Sequence, residues 1–190
     1  MNVYDFDNTL YDGESSFDFF MFCLRRNPKL IKYLGTATTC LVRYKMCRIT
    51  REDFMELAEK HLIGMMDACP EVLENVPLFW DKHFKRIKSF YSEIHEDDDV
   101  VITASFDFLI RPVCEKLDVK NLISSELDFE NKKITCYCFR EDKPVLFRER
   151  FGDVRIDNFY TDSKNDLPLM ELADNCYFVK GERITPAKVS

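Results

Sequence analysis

The chain has 190 residues, 46% of them apolar and 32% charged, enough hydrophobic material for a packed core and too much for general disorder. A net charge of −7 argues against nucleic acid as a partner. The longest uncharged run, Tyr33–Val42, falls far short of the ~20 residues that cross a bilayer, and the acidic start (Asp5, Asp7, Asp12, Glu14) is unlike a secretory signal, so a soluble cytoplasmic protein is expected.

The chain opens with the apolar pair Val3-Tyr4, which meets the acidic cluster Asp5-Phe6-Asp7-Asn8-Thr9; a short strand ending in a loop is predicted. Residues 15–95 read as helical. Phe17, Phe19, Phe20, Met21, Phe22 and Leu24 follow a potential N-cap at Ser16, and Asn27-Pro28 ends that helix or starts the next. Thr50-Arg51-Glu52-Asp53 is a helix start, followed by Phe54, Leu57, Ala58, His61 and Leu62 at helical spacing. Trp80, His83, Phe84, Ile87 and Tyr91 form a further stripe, preceded by Pro77.

From residue 98 the pattern changes. Val100-Val101-Ile102 suits a buried parallel strand, and a helix follows through Leu117, with Pro112 to kink it or fix its start. Leu122–Phe129 and Lys133–Phe139 flank Glu130-Asn131-Lys132 as a hairpin, and Phe159–Thr161 and Tyr177–Val179 are short strands. This alternation predicts an α/β fold, a doubly wound parallel sheet with a helical block inserted after its first strand. The expected division is a core of residues 1–14 and 96–190 and an all-helical insert of residues 15–95.

Eight cysteines, without a secretory signal, are expected to be reduced structural thiols; Cys136-Tyr-Cys138 lacks the spacing of a zinc knuckle. His61, His83 and His95 lie away from the acidic motifs and read as surface or packing residues. Residues 25–51 carry eight basic side chains and no acidic one, +8 against −15 for the rest of the chain. That stretch is either a solvated face or an attractor of anionic substrates or membrane surfaces, Arg43, Lys45 and Arg48 included.

Three features fall at the carboxyl ends of predicted strands: Asp5/Asp7, Thr103 and Asp162/Asp166. Ligands of open α/β sheets bind outside those ends. Asp5-x-Asp7-x-Thr9 alone is compatible with a solvated turn, and Asp162–Asp166 alone with a helix cap. Together they would converge carboxylates at a cost that a cation must offset, and hard oxygen ligands with room for water or phosphate suit Mg²⁺. Extended alternation lets Asp5 and Asp7 face one site while Phe6 points into the core.

As an ordered set these residues resemble the haloacid dehalogenase-like hydrolase superfamily, in the branch that includes phosphoserine phosphatase. Tyr4-Asp5-Phe6-Asp7-Asn8-Thr9-Leu10 is similar to the first motif and Ile102-Thr103-Ala104-Ser105 to the second. Lys143, just ahead of a predicted helix Pro144–Phe151, is similar to the third and Asp162–Asp166 to the fourth; the helical insert is similar to that branch's cap. The resemblance implies a Mg²⁺-dependent phosphatase acting on a small phosphorylated substrate, with Asp5 as nucleophile forming an aspartyl-phosphate and Asp7 as general acid, then base. It implies that Thr103 and Lys143 stabilise the phosphoryl group, and that Asp5, the Asp7 carbonyl and Asp162 hold the metal with Asp166 in support. Lys132, Lys133 and Lys164 compete with Lys143. Ser105 is either a phosphate or substrate contact or a helix N-cap, and Glu14 stands where phosphoserine phosphatases bind substrate, although no matching cap arginine is evident. Asn8 and Thr161 stand where Gly is common. A lipid head-group phosphatase of the same branch, a phosphotransferase and a non-catalytic binding protein that retains the fold are the alternatives, and the oligomeric state is left open.

Overall fold

The computed structural model describes residues 1–35 and 50–187. The strands are β1 (Asn2–Tyr4), β2 (Val100–Phe106), β3 (Asn121–Asp128), β4 (Lys133–Cys136), β5 (Ile156–Thr161), β6 (Ala173–Lys180) and β7 (Arg183–Pro186). The helices that matter below are α1 (Ser15–Arg26), α2 (Arg51–Ala68), α3 (Val72–His83), α4 (Phe90–Ile94), α5 (Asp107–Lys116), α6 (Asp142–Phe151) and α7 (Leu167–Met170). One seven-stranded sheet runs in the order β4-β3-β2-β1-β5-β6-β7. Its five inner strands are parallel, and β4 and β7 are added antiparallel at the edges. The expected strands are all present; β7, short and partly exposed, carries too little apolar pattern to be read from sequence.

Alternation along β1 divides the core. Tyr4 faces one side with Phe6, Phe19, Phe79, Trp80, Tyr91 and Leu109, while Val3 faces the other with Val100, Ile102, Phe147, Phe159 and Leu169. Helices therefore cover both faces, α1, α3, α4 and α5 on the first and α6 and α7 on the second. The first cluster mixes residues from 15–95 with residues of the sheet, and Trp80 Nε1 donates to the Leu109 carbonyl at 2.6 Å. The hydrophobic core thus runs without a break across the expected 14/15 and 95/96 boundaries. On the same face Tyr4, Tyr160 and Tyr177 are register partners on three adjacent strands, with stacked rings 4.7 and 5.0 Å apart.

Thr50 starts α2 as expected, with a reciprocal capping box: Thr50 Oγ1 accepts from Asp53 N at 3.1 Å, and Asp53 Oδ2 accepts from Thr50 N at 3.2 Å. Two other starts differ from expectation. Helix α1 begins at Ser15, with Glu14 rather than Ser16 at the cap, because its first free N–H is satisfied from a distance by Asp7. Helix α3 begins at Val72 and carries Pro77 inside it; the buried stripe Val72, Val76, Phe79 and Trp80 spans the proline and outweighs its lost backbone bond.

Candidate active site

The Asp5 amide donates to the Tyr160 carbonyl at 2.9 Å, so the β1–β5 ladder continues to the residue whose carboxylate leaves the sheet. That carboxylate is buried. Its Oδ1 accepts from Lys143 Nζ at 2.8 Å, and Thr9 Oγ1 donates to its Oδ2 at 3.3 Å. Lys143 lies in the first turn of α6 rather than ahead of the helix, and also pairs with Asp166 Oδ1 at 2.7 Å. Thr161 Oγ1 donates to the other Asp166 oxygen at 2.7 Å. Of the four candidate lysines, Lys143 is the one that lines the cleft; Lys132 pairs with Asp67.

Asp7 is held by a different set. Its Oδ1 accepts from Ser15 N at 2.6 Å, at the positive end of α1, and its Oδ2 accepts from Ser105 Oγ at 2.7 Å. Ser105 Oγ is also within 3.0 Å of Ser15 Oγ and 2.9 Å of Ser16 Oγ. Ser105 belongs to β2 and does not line the cleft, so it caps no helix and its hydroxyl is engaged with Asp7. Thr103 is buried at the cleft wall, and its Oγ1 accepts from Ser105 N at 3.1 Å. Asn8 has φ +58°, a left-handed conformation that costs most side chains ~1–2 kcal/mol and that Asn tolerates better than others. Asn is therefore suited to the left-handed backbone at this position. Asn8 Nδ2 donates to Glu14 Oε1 at 2.7 Å. Gly13 has φ +147°, a backbone conformation that L side chains rarely adopt, and a Cβ there would also displace the Arg86 guanidinium, 2.3 Å away.

Asp5, Asp7, Glu14, Thr103, Lys143, Asp162 and Asp166 line one cleft of about 190 Å³ at the carboxyl ends of β1, β2 and β5. Five carboxylates face two cations there, Lys143 and Arg140, the latter with φ +48° and its guanidinium 5.0 Å from the Phe139 ring centre. Burial pushes the Asp5 carboxyl up to about 7 against the pull of Lys143, and Asp166 adds to the rise. Burial also pushes Asp7 up, while its bonds from Ser15 and Ser105 pull it down. Burial pulls Lys143 down, but Asp5 and Asp166 more than reverse this, so it stays an ammonium. An excess of carboxylate, with Asp5 and Asp166 buried, offers hard oxygen donors that fit a divalent cation such as Mg²⁺. Ser15 and Arg140 were not among the residues expected from sequence. Each acts through a fold-dependent position that leaves no local signal.

The remaining expectations fall outside the cleft. His83 Nδ1 is 2.9 Å from Tyr11 Oη, His95 Nδ1 is 2.8 Å from Tyr91 Oη, and His61 packs edge-on to Tyr33. The six described cysteines are free thiols, and burial pushes Cys138 up to about 12, as a structural thiol requires. Arg43, Lys45 and Arg48 lie outside the described residues.

A doubly wound sheet with a cleft of carboxylates and a lysine at its carboxyl edge defines an α/β protein with a ligand site at the strand ends. The chain belongs to the haloacid dehalogenase-like hydrolases, whose family model matches residues 3–171. It is 23% identical over 202 residues to a histidinol-phosphatase of Neisseria meningitidis serogroup C (strain 8013), covering 90% of this chain and 85% of that protein. Among solved structures it is similar to a protein of unknown function from Bordetella pertussis Tohama I, with 20% identity, 90% and 85% of the two chains covered and a TM-score of 0.70. It is also similar to a phosphoserine phosphohydrolase-like protein from Francisella tularensis subsp. tularensis SCHU S4, with 16% identity, 93% and 86% coverage and a TM-score of 0.62. It is an enzyme of the hydrolase class, and its named relatives are phosphatases. No helix among the described residues is long and apolar enough to cross a membrane.

Proposed function

We propose that the chain is a Mg²⁺-dependent phosphomonoester hydrolase that works through an aspartyl-phosphate on Asp5. The observation that carries this reading is the Lys143 ammonium shared between Asp5 and Asp166, with Asp7 separately held beside them by Ser15 and Ser105. In the first step an Asp5 oxygen bonds to phosphorus and the ester P–O bond breaks. Asp7 gives its proton to the leaving alcohol; its raised pKa favours the protonated form. In the second step Asp7 takes a proton from water as the water oxygen bonds to phosphorus and the bond to Asp5 breaks. Thr103 donates its hydroxyl to a phosphoryl oxygen, and Lys143 offsets the charge that builds on it.

Asp5, the Asp7 backbone carbonyl and Asp162 would hold Mg²⁺, with Asp166 in support; the ion would supply charge neutralisation at the phosphoryl group. In this reading residues 15–95 are the helical cap of the core 1–14 and 96–190. Glu14, in the cleft and bonded to Asn8, suits a substrate with an ammonium group, as histidinol phosphate and phosphoserine have. Phosphate release from an aryl phosphate tests the activity, with Asp5→Asn as the inactive control. A panel with L-histidinol phosphate, phosphoserine and a lipid phosphate tests the substrate class.

A further inference from the structure

Lys88 lies between α3 and α4, 4% exposed and 80 residues from the loop that its side chain touches. Its Nζ donates to the Asn8 backbone carbonyl. We propose that Lys88 is a positioning residue: by holding the Asn8 carbonyl it fixes the turn that follows Asp7, and so sets where Asp7 stands in the cleft. This rests on reading Asp7 as the proton donor and acceptor.

The loop from Asn8 to Gly13 is tied along one side to residues 86–88. Asp12 N donates to the Arg86 carbonyl at 2.8 Å, Lys88 N donates to the Leu10 carbonyl at 2.8 Å, and Tyr11 bridges Ile87 in an antiparallel pair. Those backbone ties secure residues 10–12 only. Within the loop the Asn8 amide turns inward to the Gly13 carbonyl and Tyr11 bridges Asp7, so among the described contacts from residues 86–88 the ammonium is the one that reaches the left-handed residue beside Asp7. Residues held in a sparsely populated backbone conformation persist where the surroundings over-determine them, and Lys88 supplies that constraint from another part of the fold.

The clamp is itself anchored. Glu182, in the β6–β7 turn, accepts from Ser89 N at 3.3 Å, Ser89 Oγ at 3.1 Å and Phe90 N at 3.3 Å. A line of contacts therefore runs from the sheet edge through residues 88–90 to Asn8. A lysine is a costly choice for packing alone. Burial pulls its pKa down, against Asp12, Asp162 and Glu182, and an apolar chain of equal length would fill the space without that penalty. What the ammonium adds is a donor at the Asn8 carbonyl.

The test compares Lys88→Met, which keeps shape and loses the donor, with Lys88→Arg, which keeps a donor. Steady-state hydrolysis of phenyl phosphate and p-nitrophenyl phosphate is measured with Mg²⁺, alongside thermal unfolding and amide hydrogen exchange of residues 8–13. Lys88→Met is expected to lose about 10- to 100-fold in kcat on phenyl phosphate, less on p-nitrophenyl phosphate, whose leaving group needs less protonation, with KM within about twofold. Exchange over 8–13 should quicken, unfolding temperature should hold or rise, and Lys88→Arg should recover much of kcat. Unchanged kcat, an equal loss on both substrates, or unchanged exchange overturns the proposal. Should Lys88→Met fail to fold, Lys88→Gln, whose amide is too short to reach Asn8, carries the same expectations. If the wild-type protein hydrolyses neither these esters nor L-histidinol phosphate, phosphoserine or a lipid phosphate, the phosphatase reading fails, and the exchange of residues 8–13 alone decides the case for Lys88.

Discussion

Ser105 Oγ donates to Asp7 Oδ2 at 2.7 Å across 98 residues of chain, joining the end of β2 to the loop after β1. Ser105→Ala removes that donor and leaves Asp7 with the Ser15 amide. The loss in kcat is expected to be about tenfold and to grow as the leaving group becomes a poorer one, because Asp7, in the acid role proposed for it, would protonate that group from a less fixed position. A plot of log kcat against leaving-group pKa checks this: a steeper slope for the variant supports it, and a parallel line refutes it.

Asp5→Asn should abolish hydrolysis, since an amide cannot form the acyl phosphate. Its effect on stability is expected to depend on pH. Burial pushes the Asp5 carboxyl up to about 7 in the folded protein from 3.8 for a freely solvated aspartate, so the native chain should bind more protons between those values. Stability of the metal-free protein should therefore fall as pH rises from about 4 to about 7, and Asp5→Asn should flatten that fall. Thermal unfolding at a series of pH values in chelator would show it, and a slope equal in both proteins would contradict it.

Removing metal should remove activity, and Mg²⁺ should restore it. Asp162→Ala is expected to need far more Mg²⁺ or not to recover. Ca²⁺ should raise the unfolding temperature yet support little turnover, because its larger and looser shell misplaces the reacting oxygens. Full activity in chelator would exclude the metal site.

Lys143→Met leaves two buried carboxylates, Asp5 and Asp166, without their shared partner. At pH 8 in chelator the expected loss of stability is about 3–5 kcal/mol, the range for a buried pair stripped of one member. Adding Asp166→Asn should return part of it. Urea unfolding measures both, and a Lys143→Met protein as stable as wild type would mean that the ammonium contributes nothing there.

The sheet and the cleft were legible where the chemistry is local. Val100-Val101-Ile102 announces a buried strand by its β-branched run, Thr50–Asp53 announces a helix by its reciprocal cap, and the acidic motifs mark strand ends. Lys143 was legible through family resemblance and position, since one lysine has no pattern of its own. What stayed hidden depends on distant partners. Ser15 begins a helix because Asp7, eight residues earlier, satisfies its amide; Pro77 is tolerated because Phe79 and Trp80 are buried around it; Lys88 points at a carbonyl that only the folded topology brings near.

The tyrosine stack on one face of the sheet has a mechanical consequence. Tyr4 immediately precedes Asp5, and Tyr160 lies two residues before Asp162, so the ring-on-ring contact of 4.7 Å joins the two paired strands that lead into the side chains proposed to share a cation. That spacing matches the 4.7–4.9 Å pitch of hydrogen-bonded strands, so rings and backbone favour the same separation and resist the same shear. The two strands that lead into these carboxylates are thus locked side by side, and an incoming ion meets a floor whose spacing is set before it arrives.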